Sequence, residues 1–183
     1  MQQFTLTRTE HTQDEIWITE HPPVYTLGMN AKLEHLLNNT DIPLVASDRG
    51  GQISYHGPGQ LIIYILLDLR RHNIGPKQIV SMLENAIISS LRQYGVKAEL
   101  KPKAPGVYVA GKKIASLGLR IKGGCCYHGL SLNNQMDLSP FLNINPCGYA
   151  GLEMTQLSEY GVNIQLHELA VPILHEIIQA VEL

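Results

Sequence analysis

Hydrophobic positions along this chain recur at two different periods, and the switches between them mark its elements. Glu15–Thr19 (EIWIT) and Val24–Leu27 (VYTL) predict two strands. Between them, His21-Pro22-Pro23 excludes helix and favours an extended turn, and Gly28 closes the unit. Ile53-Ser54-Tyr55 predicts a further strand. The run LIIYILLDL from Leu61 lacks alternation, as a strand buried on both faces would. Pro76 suits a first helical position, and Ile79, Leu83, Ala86, Ile87, Leu91 and Tyr94 then recur at spacings of three and four until Gly95. A second apolar stripe, from Leu166 through Leu169, Ala170, Ile173, Leu174, Ile177 and Ile178 to Val181, predicts a helix near the C-terminus. Between the helices, Gly106–Val109, a turn at Ala110-Gly111 and Lys112–Ile121 read as a hairpin, followed by a strand over Tyr127–Leu132. Interleaved strands, hairpins and helices make an α+β (loosely α/β) fold, a mixed β-sheet with helices packed on it.

The 183 residues suit one domain spanning 1–183, with no repeat, low-complexity tract or linker to divide it. Hydrophobic residues at 44% and charged residues at 16% exclude disorder, collagen and coiled coil. Lys+Arg of 14 against Asp+Glu of 16 leaves a net charge of −2, so nothing drives the whole chain toward nucleic acid or an anionic membrane. The longest apolar run, Leu61 to Leu67, falls far short of the roughly 20 residues that span a bilayer. The start, MQQFTLTRTEHTQDE, lacks the basic and then apolar pattern of a secretory signal, which predicts a cytoplasmic protein. Cys125, Cys126 and Cys147 are too few for a disulfide scaffold and are read as reduced thiols.

Three segments carry candidate chemistry. In Lys112–Ile121, a period of two groups Lys113 with Ala115, Leu117, Leu119 and Ile121, while Lys112, Ile114, Ser116, Gly118 and Arg120 share the other face. A lysine among apolar neighbours loses hydration, which favours the neutral amine needed for proton transfer; the alternative is a strand-end side chain reaching water. Cys147 lies in Asn145-Pro146-Cys147-Gly148-Tyr149-Ala150-Gly151, a loop that can present a thiol, although a buried small hydrophobe is an equal alternative. As a nucleophile it needs a base or a nearby cation. Cys125-Cys126-Tyr127-His128 has the wrong spacing for zinc, so packing on a strand is the reading there. The glycine-rich stretch from Arg49 to Gln60 matches no nucleotide motif. It reads either as a hairpin between core strands or, with Arg49, Gln52, Tyr55 and His56 around pliable backbone, as a pocket wall. His35, His72, His167 and His175 are expected on surfaces or helices rather than as ligands.

RGGQISYHGPGQ at Arg49 to Gln60, GKKIASLGLR at Gly111 to Arg120, YHGLSLN at Tyr127 to Asn133 and NPCGYAG at Asn145 to Gly151 closely resemble the octanoyltransferase family of lipoate biosynthesis, also called lipoate protein ligase B. The resemblance runs from about Asp14 to Gln156 and implies the biotin/lipoate protein ligase fold. It implies Cys147 as the residue carrying an octanoyl thioester and Lys113 as its acid/base partner. Arg49, Gly50, Gly51, Gln52, Ile53, Ser54, Tyr55, His56, Ser116, Leu117, Gly118, Gly129, Leu130 and Ser131 would bind the acyl group and its thioester head. The implied donor is octanoyl-acyl carrier protein, and the acceptors are lipoyl domains of 2-oxoacid dehydrogenases and the glycine-cleavage H protein. Lys101, Lys103, Lys112, Arg120 and Lys122 read either as a local basic surface for an acidic carrier or as a scattered solvated face. No cofactor or metal is implied, and the enzyme is expected to be a monomer, short at its N-terminus relative to the family. A ligase of the same fold would instead activate a free acid with ATP, for which a nucleophilic cysteine has no use, and a thioesterase would pass the acyl group to water.

Overall fold

The computed structural model describes residues 1–181. In chain order the regular elements are α1 (Gln2–Leu6), β1 (Glu15–Thr19), β2 (Val24–Leu27), β3 (Leu44–Ala46), β4 (Ile53–His56), β5 (Gln60–Asp68), α2 (Pro76–Gln93), β6 (Ala98–Lys101), β7 (Ala104–Val109), β8 (Lys112–Lys122), β9 (Cys125–Asn133) and α3 (Leu166–Val181). The large sheet has the order β1-β5-β9-β8-β7-β6 and is antiparallel at every pairing. A small sheet, β3-β2-β4, holds the parallel contribution, because the chain after β2 loops back before laying β3 alongside it in the same direction.

β5 lies one strand in from the edge, and its unbroken apolar run reflects cover on both faces. On one face Leu61, Ile63, Ile65 and Leu67 pack with Ile79, Leu83 and Ile87 of α2 and with Leu169, Ile173 and Ile177 of α3. Each such side chain contributes about 1.5–3 kcal/mol by leaving water. The start of α2 is fixed by Pro76 and by Gln78, whose Oε1 accepts the Gly75 N–H at 2.7 Å. On the other face stands the small sheet, with its own core of Tyr25, Ile53, Tyr55, Met136, Phe141 and Ile144. A cavity separates the two layers.

The Gly57-Pro58-Gly59 turn is not a hairpin. β4 pairs with β2 while β5 pairs with β1 and β9, so the turn carries the chain from one sheet to the other. Gly59 has φ +83°, and a Cβ there would stand 1.8 Å from the Gln135 carbonyl oxygen, so the position is open to glycine alone. Cys125 and Cys126 open β9 as buried strand residues, the packing their sequence context predicted.

Candidate active site

The cavity has a volume of about 550 Å³, within the range of small-ligand sites. Its apolar wall includes Val24, Val45, Ile53 and Ile62, and Lys113 and Cys147 both reach it. Lys113 is 1% exposed, and its Nζ donates to the Pro105 carbonyl at 2.7 Å and to Cys147 Sγ at 3.0 Å. The strand alternation that placed it with Leu117 and Leu119 is broken. Val107 pairs with Ala115 and Tyr108 with Lys113, which leaves Ile114 as an extra residue in a bulge. Ile114 and Ala115 both join the helix-facing core, and Lys113 turns to the opposite side with Ser116 and Gly118. Of the two readings that alternation left open for Lys113, the structure takes burial, but on the other face. Its backbone is clamped as well: Lys113 N–H donates to the Glu153 carbonyl and Lys113 C=O accepts from Thr155 N–H, both at 2.9 Å.

Cys147 sits in a tight turn over Pro146–Gly148 with φ +57° and ψ +16°, a left-handed conformation uncommon for a residue with a Cβ. Such strain collects where a side chain must be aimed. Gly148 follows with φ +78°, and a Cβ there would press on Gln52 Cγ at 3.0 Å and His35 Nε2 at 3.2 Å, so only glycine lets this loop lie so close to its neighbours. His35, expected on a surface or helix, therefore packs against the Cys147 loop.

Electrostatics concentrate around this pair. Arg49 is held by Thr26, whose Oγ1 accepts from Nε at 3.0 Å and whose carbonyl accepts from Nη2 at 2.6 Å. Desolvation lowers its pKa to about 10, opposed by the charge of Cys147, so Arg49 remains a cation at neutral pH. Burial, with lesser contributions from Cys147, Tyr149 and Glu84, pushes the Tyr108 phenol up to about 12. Burial lowers His56 to about 4, against the opposing effect of its bond to Gln60. Gln60 Nε2 donates to Asn133 Oδ1 at 2.8 Å, and Asn133 Nδ2 donates to the Thr155 carbonyl at 2.9 Å. A carbonyl can only accept, so both amides are fixed in orientation, and Gln60 Oε1 accepts from His56 Nδ1–H at 2.7 Å. His56 thereby offers its Nε2 lone pair. Farther along the wall His128, at φ +62°, breaks its strand's alternation so that it and Tyr127 both bond Asp48. Burial would raise Asp48, but those two hydrogen bonds prevail and hold its carboxyl below the usual range. Among the described residues no cluster of three or more His, Cys, Asp or Glu side chains is arranged to hold a metal ion.

The family model for the lipoyl protein ligase A/B catalytic domain matches residues 1–178. An octanoyltransferase from Laribacter hongkongensis is 61% identical over 170 residues, covering 93% of this chain and 82% of the relative. One from Neisseria meningitidis is 59% identical over 160 residues, covering 87% and 77%. The chain belongs to the octanoyltransferase family. It is an acyltransferase of octanoyl transfer in lipoate biosynthesis. The fold is also that of a bi-partite lipoate protein ligase from Thermoplasma acidophilum, with a TM-score of 0.78 at 14% identity over 99% of this chain and 76% of that one. A lipoate-protein ligase A bound with ATP superimposes with a TM-score of 0.75 at 15% identity, over 99% and 78%.

In this chain Arg49, Gly51, Gln52, Ile53, Ser54 and His56 line the cavity from the small sheet and the loop before it. Ser116, Leu117, Gly118, Gly129, Leu130 and Ser131 line it from β8 and β9. Gly50 and Tyr55 do not. Gly50 N–H donates to the Leu119 carbonyl at 3.1 Å, tying the loop to β8. Tyr55 points to the far side of β4, where its ring packs between Tyr25 and Phe141 at centroid distances of 5.5 and 5.3 Å. Gly129 answers a packing demand as well, since a Cβ there would stand 2.0 Å from the Ile63 carbonyl oxygen. Sequence reasoning missed Thr26, His21, Tyr64 and His128, all on the wall, and the Gln60–Asn133 relay behind it. Gln60 and Asn133, both buried, gave one signal: polar residues at the ends of strands that are otherwise strongly apolar. Of the lysines considered for an acidic carrier, Lys112 pairs with Glu153 at 3.1 Å, and Lys101 lies over the Tyr108 ring. Among the described residues no helix is long and apolar enough to cross a membrane.

Proposed function

We propose that this chain carries octanoyl from octanoyl-acyl carrier protein to a lysine of a lipoyl domain through a thioester on Cys147, with Lys113 moving the protons. The 3.0 Å contact between Lys113 Nζ and Cys147 Sγ beside an apolar cavity is the observation that carries the reading. In the first half, the Cys147 thiolate attacks the donor's thioester carbonyl. The tetrahedral oxyanion collapses with cleavage of the carrier's C–S bond, and the Lys113 ammonium protonates the departing thiolate. Beyond the end of the β7 register at Ala115, the main chain at Leu117-Gly118 lines the cavity, and its N–H groups are the oxyanion donors of this reading. In the second half, the acceptor's ε-amine attacks the octanoyl-enzyme, neutral Lys113 takes its proton, and Cys147 leaves as the thiolate. Thioester to amide is downhill, so this route draws on no nucleotide.

The acceptor assignment is supported by the Thermoplasma acidophilum relative in fold, a bi-partite lipoate protein ligase described together with its E2 lipoyl domain. Intact mass spectrometry after mixing with octanoyl-acyl carrier protein tests the reading. One octanoyl adduct, labile to hydroxylamine, is expected on the wild type and absent from Cys147→Ser. An adduct that survives in Cys147→Ser, or release of free octanoate in place of transfer to a lipoyl domain, refutes it. Acylation from free octanoate and ATP without carrier protein would identify a ligase instead.

A further inference from the structure

Glu84 is the one carboxylate that α2 buries among its core-facing residues, at 9% exposure and next to Leu83. An ionised side chain in such a place loses hydration and persists only with partners. Its Oε1 accepts the Gly106 N–H at 2.8 Å. The carbonyl of that same peptide unit belongs to Pro105 and accepts Lys113 Nζ at 2.7 Å, while Nζ also reaches Cys147 Sγ at 3.0 Å. Carboxylate, peptide, amine and thiol thus form one continuous line of hydrogen bonds. A carboxylate on the N–H end of a peptide polarises it and strengthens the carbonyl at the other end as an acceptor.

We propose that Glu84 is a positioning residue for the acyl transfer: through the Pro105-Gly106 peptide it keeps Lys113 as an ammonium aimed at Cys147, so that the proton leaves the sulfur rather than the nitrogen. The inference rests on the Cys147–Lys113 reading above. Burial by itself favours an amine–thiol pair, since both partners are then neutral. The Glu84 charge lies on the lysine side, so its attraction for the nearer ammonium exceeds its repulsion of the farther thiolate. Other groups facing the pair act consistently with this. The Tyr108 phenol on β7, whose ring is 5.6 Å from Nζ, is neutral. The Arg49 cation acts on Cys147 from the loop before β4, and Tyr149 lines the same cavity.

Glu84→Gln keeps the length of the side chain and an oxygen for Gly106 while removing the charge. Alkylation of Cys147 by iodoacetamide, followed across pH with Cys147→Ser as background, should slow on the order of tenfold at neutral pH, its rise moving to higher pH. Octanoyl transfer should fall in parallel. A superimposable profile overturns the proposal, because the variant retains the bond that a purely structural role requires. Nitrogen NMR of isotope-labelled lysine on the wild-type chain gives a second reading, with the Lys113 signal identified by its loss in Lys113→Met. That signal should report an ammonium at neutral pH, and an amine there overturns the proposal even if Glu84→Gln does not fold. Lys113→Met also separates two failures. If it leaves alkylation unchanged, the pair itself is misread and this inference falls with it; if it slows alkylation and Glu84→Gln does not, only the role of Glu84 falls.

Discussion

Replacing Gly106 by alanine should disable the candidate pair through a single methyl group. Gly106 has φ +125°, where residues with a Cβ are strained by about 1–3 kcal/mol. The added Cβ would stand 2.4 Å from Lys113 Cε, 2.9 Å from Lys113 Nζ and 2.7 Å from the Ala115 carbonyl oxygen. The lysine end can swing aside, but the Ala115 carbonyl belongs to the backbone of the buried Lys113–Ala115 stretch of β8 and yields only by moving the strand. Overpacking of that kind adds about 1–3 kcal/mol, so a total of about 3 kcal/mol is expected. In a chain of 183 residues this lowers Tm by roughly 6–12 °C. Nζ pushed off its position loses the contact to Sγ, and a displacement of about 1 Å at a reacting group is worth roughly a hundredfold in rate.

Thermal melting and octanoyl transfer well below the melting range measure the two effects separately. Gly161→Ala is the matched control, with φ +78° and nothing within 4 Å of the added Cβ. It should cost about 1–2 kcal/mol and leave transfer intact. The reasoning is refuted if Gly106→Ala melts and transfers like the wild type, or if Gly161→Ala loses transfer to the same extent.

His56 is held neutral by burial, with its pKa lowered from 6.5 to about 4, so between those values the unfolded chain binds a proton that the folded chain refuses. Stability should therefore fall by up to a few kcal/mol as the pH drops through that window; denaturant midpoints should show a flatter slope for His56→Gln, and equal slopes refute the assignment. Asn133→Ala leaves one of the two Gln60 Nε2 protons and the Thr155 carbonyl without their partners in a buried setting, the other Gln60 proton keeping the Tyr55 carbonyl, for a loss of about 2–3 kcal/mol in chemical denaturation. Gly129→Ala forces a Cβ to 2.0 Å from the Ile63 carbonyl oxygen at the β5–β9 pairing, so little folded protein should accumulate, as judged by soluble yield and circular dichroism.

The two long helices were legible because their signals are local, whereas the five-residue α1 was not: Pro76 and Gly95 bracket α2, and the stripe from Leu166 to Val181 coincides with α3. β5 announced its two-sided burial by a run of apolar residues. β3, whose residues are all exposed, and β6, half of whose residues are exposed, carry no period to read. Lys113 is the instructive case. Alternation left Lys113 either buried among apolar neighbours or reaching water at a strand end; it is buried, yet the bulge at Ile114 sends it to the opposite face from the one alternation assigned. A bulge is set by how two strands must bend around each other, and no window along one strand contains that requirement. The same limit hid Glu84, whose partner is the peptide of a residue 22 positions away. What sequence periodicity can offer is a residue in the wrong solvent for its charge, as at Lys113. Which surface that charge answers to is decided by the strand register, and here the register gives Lys113 to the cavity and Glu84 to the peptide that holds it.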